Sequence, residues 1–181
     1  IYIYDFNPNY AVPFQPASTP YFEVEPGSGP RHLIFNNKGD RLFLIHELTA
    51  ELGVYSYQNG EINILSAISL THPQFQGVVS AAEVRHSPDG KYIYASNRGD
   101  ANEISVFEKD LNDKLILVQR ISSQGISPRN FNFSNDGSLL IVGNQDSNEI
   151  VIFEVNQKTG MIGDVKRKVA FLKPVYILPL K

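Results

Sequence analysis

Leu33-Ile34-Phe35-Asn36-Asn37-Lys38-Gly39, Val84-Arg85-His86-Ser87-Pro88-Asp89-Gly90 and Phe131-Asn132-Phe133-Ser134-Asn135-Asp136-Gly137 are three versions of one phrase. Each runs straight into an apolar stretch, and the three glycines lie 51 and 47 residues apart. Asn-Lys-Gly and Asp-Gly between apolar stretches are hairpin turns, because glycine supplies the positive φ that such turns require. Each repeat therefore opens with a β-hairpin. The second strands, at 42–45, 92–95 and 139–142, are nearly continuous apolar runs, as expected of strands buried on both faces. After a polar corner a third strand follows in register at 52–55, 104–107 and 150–153, and a fourth around 62–69, 115–121 and 165–171. Four antiparallel strands per unit of roughly 45 to 50 residues are the signature of a β-propeller blade.

The ends extend the pattern. Ile1-Tyr2-Ile3-Tyr4 matches a third strand and residues 20–24 can serve as its fourth, so the chain begins in mid-blade. Pro174-Val175-Tyr176-Ile177 resembles Pro30-Arg31-His32-Leu33 and Pro128-Arg129-Asn130-Phe131, which open first strands. The expectation is an all-β protein with one β-propeller domain over 1–181. It has three complete four-stranded blades at 30–72, 80–122 and 128–172 and partial blades at 1–26 and 174–181. Rings need about four to eight blades, and open blade faces are large, apolar and aggregation-prone. The chain is therefore expected to be part of a longer protein, the alternative being a partner that closes the ring, and not to fold alone.

Composition narrows the function classes. The 181 residues include no Cys, no Trp and one Met, with 42% hydrophobic and 19% charged residues, which is globular rather than disordered. A net charge of -3 gives no electrostatic argument for nucleic acid or an anionic membrane. The absence of cysteine excludes disulfides, thiolate zinc sites and cysteine nucleophiles. No apolar run approaches the roughly 18 residues that span a bilayer. No signal peptide and no initiator Met begin the chain, so a segment upstream is expected to be missing or removed. Cytoplasm is the expected compartment, with a bacterial periplasm as the alternative.

Propeller chemistry sits where the first strands open and where the corner after the second strand points inward. Eight and seven residues before the turn glycines stand Arg31 and His32, Ala82 and Glu83, and Arg129 and Asn130. Seven and eight residues after them stand His46 and Glu47, Asn97 and Arg98, and Asn144 and Gln145. Arg31, Arg98 and Arg129 together would form a cationic pocket suited to phosphate or carboxylate. His32 and Glu83 could supply a general base and its orienting partner. The competing structural reading is that Arg and Glu pair with each other, or with carbonyls, to plug the channel. His86 fills a slot held elsewhere by Phe35 and Phe133 and reads as an inter-blade histidine, while Asp100, Asp146 and Glu149 read as turn chemistry. The four His lack zinc spacing, and no calcium loop, phosphate-binding glycine loop or serine-hydrolase elbow is present.

Gly-Ser-Gly-Pro-Arg-His (27–32), Ala-Ala-Glu-Val-Arg-His-Ser-Pro-Asp-Gly-Lys-Tyr-Ile-Tyr-Ala-Ser-Asn-Arg-Gly (81–99), and Ser-Pro-Arg-Asn-Phe (127–131) followed by Gly-Asn-Gln-Asp-Ser (143–147) carry a resemblance. In this order and at blade spacing they resemble the seven-bladed propeller family of 6-phosphogluconolactonases over nearly the whole chain. The likeness is to the C-terminal half, and the absent N-terminal half is the departure. The resemblance implies half of a seven-bladed ring, the missing half coming from the same or another chain. It also implies hydrolysis of a phosphosugar lactone, 6-phospho-D-glucono-1,5-lactone, to 6-phosphogluconate in the pentose phosphate pathway. On chemical grounds His32 with Glu83 would activate water and Arg129 would stabilise the oxyanion. Arg31 and Arg98 are candidates for the phosphate, and Glu47, Asn97, Asn144 and Gln145 for the rest of the substrate. The scheme requires no metal or cofactor. Two alternatives stay open: a lactonase or lactonising isomerase for another sugar lactone or a muconate-like substrate, and a non-catalytic propeller that binds a ligand or protein.

Overall fold

The structure, a computed structural model, describes residues 1–112 and 114–180. A hairpin of β1 (Tyr2–Phe6) and β2 (Phe14–Tyr21) precedes three four-stranded antiparallel sheets. The first comprises β3 (Pro30–Phe35), β4 (Arg41–His46), β5 (Glu51–Gln58) and β6 (Glu61–Ser69). The second comprises β7 (Val79–His86), β8 (Tyr92–Gly99), β9 (Glu103–Lys109) and β10 (Leu115–Ser122). The third comprises β11 (Pro128–Phe133), β12 (Leu139–Asn144), β13 (Glu149–Val155) and β14 (Ile162–Ala170). Within each sheet the strands pair in chain order, which makes each sheet a propeller blade. Among the described residues no helix is long and apolar enough to cross a membrane.

The three repeated turns close as their sequence requires. Gly39, Gly90 and Gly137 all sit at φ 73°, and their N–H groups donate to the carbonyls of Asn36, Ser87 and Ser134 at 3.0, 2.8 and 2.9 Å. In the third turn the Ser134 hydroxyl, with donors from Ser138, surrounds the Asp136 carboxylate and pulls its pKa down to about 2.

Both faces of the second blade are apolar because each packs against a different neighbour. On β8, Ile93 and Ala95 join Phe43, Ile45 and Leu52 of the first blade. Tyr92 and Tyr94, pointing the other way, join Phe131, Leu140 and Phe153 of the third. His86 bridges the first seam as its repeat slot implied, with Nε2 2.8 Å from the Phe35 carbonyl and its ring edge-on to Phe43 at 5.6 Å. The first strands of successive blades lie side by side, β3 against β7 and β7 against β11, and form the inner edge.

The ends depart from expectation in two ways. The fourth strand of the N-terminal partial blade is Phe14–Tyr21 rather than 20–24. Its Pro16 and Pro20, which obscure a strand in sequence, are tolerated because β2 is an edge strand. The residues expected to continue it instead pack Phe22 and Val24 onto Leu42, Leu44 and Tyr55. At the other end residues 174–180 form no strand. Asparagines hold this segment along β11: Asn130 Oδ1 accepts from Ile177 N–H at 2.7 Å, Asn132 Nδ2 donates to the Ile177 carbonyl at 3.2 Å, and Asn135 Nδ2 donates to that of Leu180 at 2.9 Å. Large apolar side chains stand exposed at both ends, among them Tyr2, Phe6 and Phe14, then Leu172, Tyr176 and Leu178.

The seam between the N-terminal partial blade and the first complete blade contains a buried His46, whose Nε2 lies 3.0 Å from the Tyr55 hydroxyl. Burial lowers the His46 pKa from 6.5 and raises that of Tyr55, so both are neutral in the folded protein. As pH falls through 6.5 the unfolded chain takes up a proton that folded His46 resists, and stability falls with it. Melting temperature should therefore drop on acidification, and drop less in His46→Gln; equal slopes would refute the account. Phe43→Ala, at a fully buried seam position, should cost about 3–5 kcal/mol in denaturant unfolding.

Candidate active site

One irregularity of the first strands builds the site. Pro30 pairs with His46 but Leu33 with Leu44, Ala81 with Asn97 but Val84 with Ala95, and Pro128 with Asn144 but Asn130 with Gly143. Each inner strand thus carries one extra residue at the same place, a β-bulge that re-aims side chains. Through it the neighbours Arg31 and His32, and likewise Arg129 and Asn130, face one cavity of about 450 Å3, completed by Gln145, Val175 and Tyr176.

Its centre is an imidazole on a buried carboxylate. His32 Nδ1 lies 3.1 Å from Glu83 Oε1, with the His32 side chain 41% exposed and that of Glu83 5%. The carboxylate fixes the tautomer with hydrogen on Nδ1, which makes Nε2 the acceptor, and Arg31 Nη1 donates to it. Glu83 Oε1 also accepts the Val84 N–H at 3.2 Å, and Oε2 accepts from Asn130 Nδ2 with Arg85 Nη2 3.6 Å away. A buried carboxylate needs such a set of donors.

The arginines differ in their freedom. Glu47 stands between two of them, Oε2 3.3 Å from Arg31 Nε and Oε1 2.6 Å from Arg98 Nη2. Burial would raise the Glu47 carboxyl, but hydrogen bonds from Arg98 and Ser80 and the charge of Arg31 hold it below its ordinary range. Arg31 Nη1 donates to the Ala82 carbonyl at 2.5 Å and lies 3.3 Å from His32 Nε2. Burial, with Arg98 and Arg129 nearby, lowers the Arg31 pKa against the opposing pull of Glu47 and Glu83. Arg129 makes no hydrogen bond or ion pair among the described residues, so its guanidinium is open to an anion.

The structure thus gathers His32, Glu83, Arg129, Arg31 and Gln145 in or directly behind one cavity. Arg98 and Glu47 lie behind Arg31, where Arg98 also donates to the Ser80 carbonyl at 3.0 Å and does not line the cavity. Asn97 and Asn144, read as substrate contacts, are instead buried brackets at blade corners. Asn97 Oδ1 accepts the Ser80 N–H at 3.0 Å, and Asn144 Nδ2 donates to the Ser123 carbonyl at 3.0 Å. Asn144 ends β12 and Asn97 lies two residues before the end of β8, and only Gln145 of the residues that follow them lines the cavity. Sequence reasoning passed over Asn130 and Tyr176 as site residues. The signal was available for both, since they occupy the repeat slot of His32. No group of three or more His, Cys, Asp or Glu able to hold a metal occurs among the described residues.

Residues 1–179 match the family described as "Lactonase, 7-bladed beta-propeller". The chain is 37% identical over 142 residues to a 6-phosphogluconolactonase of Formosa agariphila, covering 77% of this chain and 40% of that protein. Its fold superposes on the Pseudomonas aeruginosa periplasmic gluconolactonase PpgL with a TM-score of 0.87 at 34% identity, covering 90% of this chain and 46% of that one. A solved protein from Lactobacillus plantarum gives a TM-score of 0.82 at 29% identity, over 86% and 46% of the two chains. The chain spans less than half the length of these relatives. The bulged inner strands and their shared cavity thus belong to a member of the seven-bladed β-propeller lactonase family.

Proposed function

We propose that the ring to which this chain contributes hydrolyses a sugar lactone, with 6-phospho-D-glucono-1,5-lactone as substrate and 6-phosphogluconate as product. The observation that carries the reading is the His32–Glu83 pair opening into a cavity shared with the unpaired Arg129. His32 Nε2 takes a proton from water as the water oxygen attacks the lactone carbonyl. Arg129 faces the oxyanion that forms, with its charge in a partly desolvated site. The tetrahedral intermediate then breaks its bond to the ring oxygen, which recovers the proton from His32 and leaves as a hydroxyl. Glu83 holds the imidazole in position and balances its charge during the cycle. In this reading Arg31 meets the phosphate, Gln145 a hydroxyl and Tyr176 a face of the substrate, a reading supported by all three lining the cavity.

The relative from Formosa agariphila supports the phosphorylated substrate by its name, and PpgL an unphosphorylated one. One observation favours the second: Glu47 pairs with both Arg31 and Arg98 and offsets one of their two charges, which reduces the charge left for a phosphate dianion.

The test is a hydrolysis assay of the full-length protein on both lactones, corrected for spontaneous opening. His32→Ala and Glu83→Gln should lower kcat on the order of 10²- to 10⁴-fold, and Arg129→Ala about 10²- to 10³-fold. Wild-type rates in all three would overturn these assignments, and no hydrolysis above the spontaneous rate by the wild type itself would leave a non-catalytic binding propeller. Arg31→Ala should raise KM for the phosphorylated lactone roughly 10- to 100-fold and spare the unphosphorylated one. Equal effects on the two would remove Arg31 from phosphate recognition.

A further inference from the structure

We propose that Asn130 is a positioning residue for this reaction, one side chain that both aims the Glu83 carboxylate at His32 and seats the backbone entering the next blade. The inference rests on the His32–Glu83 reading above. Its basis is a chain of contacts through equivalent slots of successive blades. His32 meets Glu83, Glu83 meets Asn130, and Asn130 meets Ile177 N–H. Asn130 is 1% exposed, so neither of its polar ends can turn to water instead.

The amide can stand only one way round. A backbone N–H can only donate, so Ile177 requires Oδ1 on its side at 2.7 Å. A carboxylate can only accept, so Glu83 requires Nδ2 on the other. Asp would meet the carboxylate with a second acceptor, and an apolar residue would satisfy neither neighbour.

Arg85 explains why the donor is needed. Its Nε is committed to the Phe131 carbonyl at 2.8 Å, while its Nη2 stands 3.6 Å from Glu83 Oε2. Without the Asn130 amide, that cation is the partner left to Oε2. Swinging the carboxylate toward it draws Oε1 off His32 Nδ1 and releases the imidazole.

The experiment uses full-length protein carrying Asn130→Asp, Asn130→Ala, His32→Ala and the double change His32→Ala with Asn130→Asp, assayed on the lactone that the wild type turns over. Asn130→Asp keeps the acceptor for Ile177; Asn130→Ala is read in its place if the added charge prevents folding. The expected result is a kcat lower by roughly 10- to 100-fold with KM within about twofold. In Asn130→Asp the acid limb of the rate profile should also move to higher pH, because a second carboxylate favours the protonated imidazole. In the His32→Ala background, Asn130→Asp should lower the rate no further. A wild-type kcat in the folded single variant, a raised KM with unchanged kcat, or a loss that adds to that of His32→Ala would each overturn the proposal. If His32→Ala alone retains full activity, the underlying base assignment fails and the relay falls with it. A slow His32→Ala beside a normal Asn130→Asp overturns the relay alone.

Discussion

Burial of both apolar faces of the central sheet is the constraint from which the rest of this molecule follows. A four-stranded blade cannot cover either face by itself, so each must be sandwiched. Alternate residues on β8 then serve different seams, Ile93 and Ala95 one, Tyr92 and Tyr94 the other. Stacking sheets in this way brings their first strands together at one edge, where polar side chains from different blades meet. Glu83 reaches His32 and Asn130, which lie on separate sheets, because β7 runs between β3 and β11.

That meeting point would be unstable without compensation. Glu83 and Glu47 are acidic groups among arginines, and each is held by several donors rather than by one opposite charge. Glu47 locks Arg31 and Arg98 together, so the cluster serves both structural and chemical ends. The plug of mutual pairing weighed in sequence holds for Arg98 and Glu47, while Arg129 remains outside it.

The blades were legible in sequence because glycine turns and apolar second strands are local signals, readable within a few residues. The seam role of His86 was legible for the same reason, since Phe35 and Phe133 in its slot declare the environment. What escaped depends on neighbours far along the chain. Asn97 and Asn144 look like polar channel residues until the pairing shows them facing inward at a corner. Arg98 looks like a free cation until Glu47, 51 residues away, is placed beside it. Asn130 shares the repeat slot of His32, but an amide has no acid–base chemistry of its own, so the slot does not show its part until Glu83 and Ile177 stand on either side. The prolines of β2 hid a strand because propensity describes interior strands, and this one has an open edge.

The extra residue in each inner strand has a consequence for how such proteins diversify. Regular pleating would send successive side chains to opposite sides, so each blade would present one at the axis and commit its neighbour to packing. The bulge gives two adjacent positions to the axis and leaves Phe131 and Val84 just beyond it in their seams. Arg31-His32, Ala82-Glu83 and Arg129-Asn130 thus stand outside the hydrophobic clusters that hold the blades together. On the proposed assignment, substrate choice and foldability rest on different letters of the same repeat.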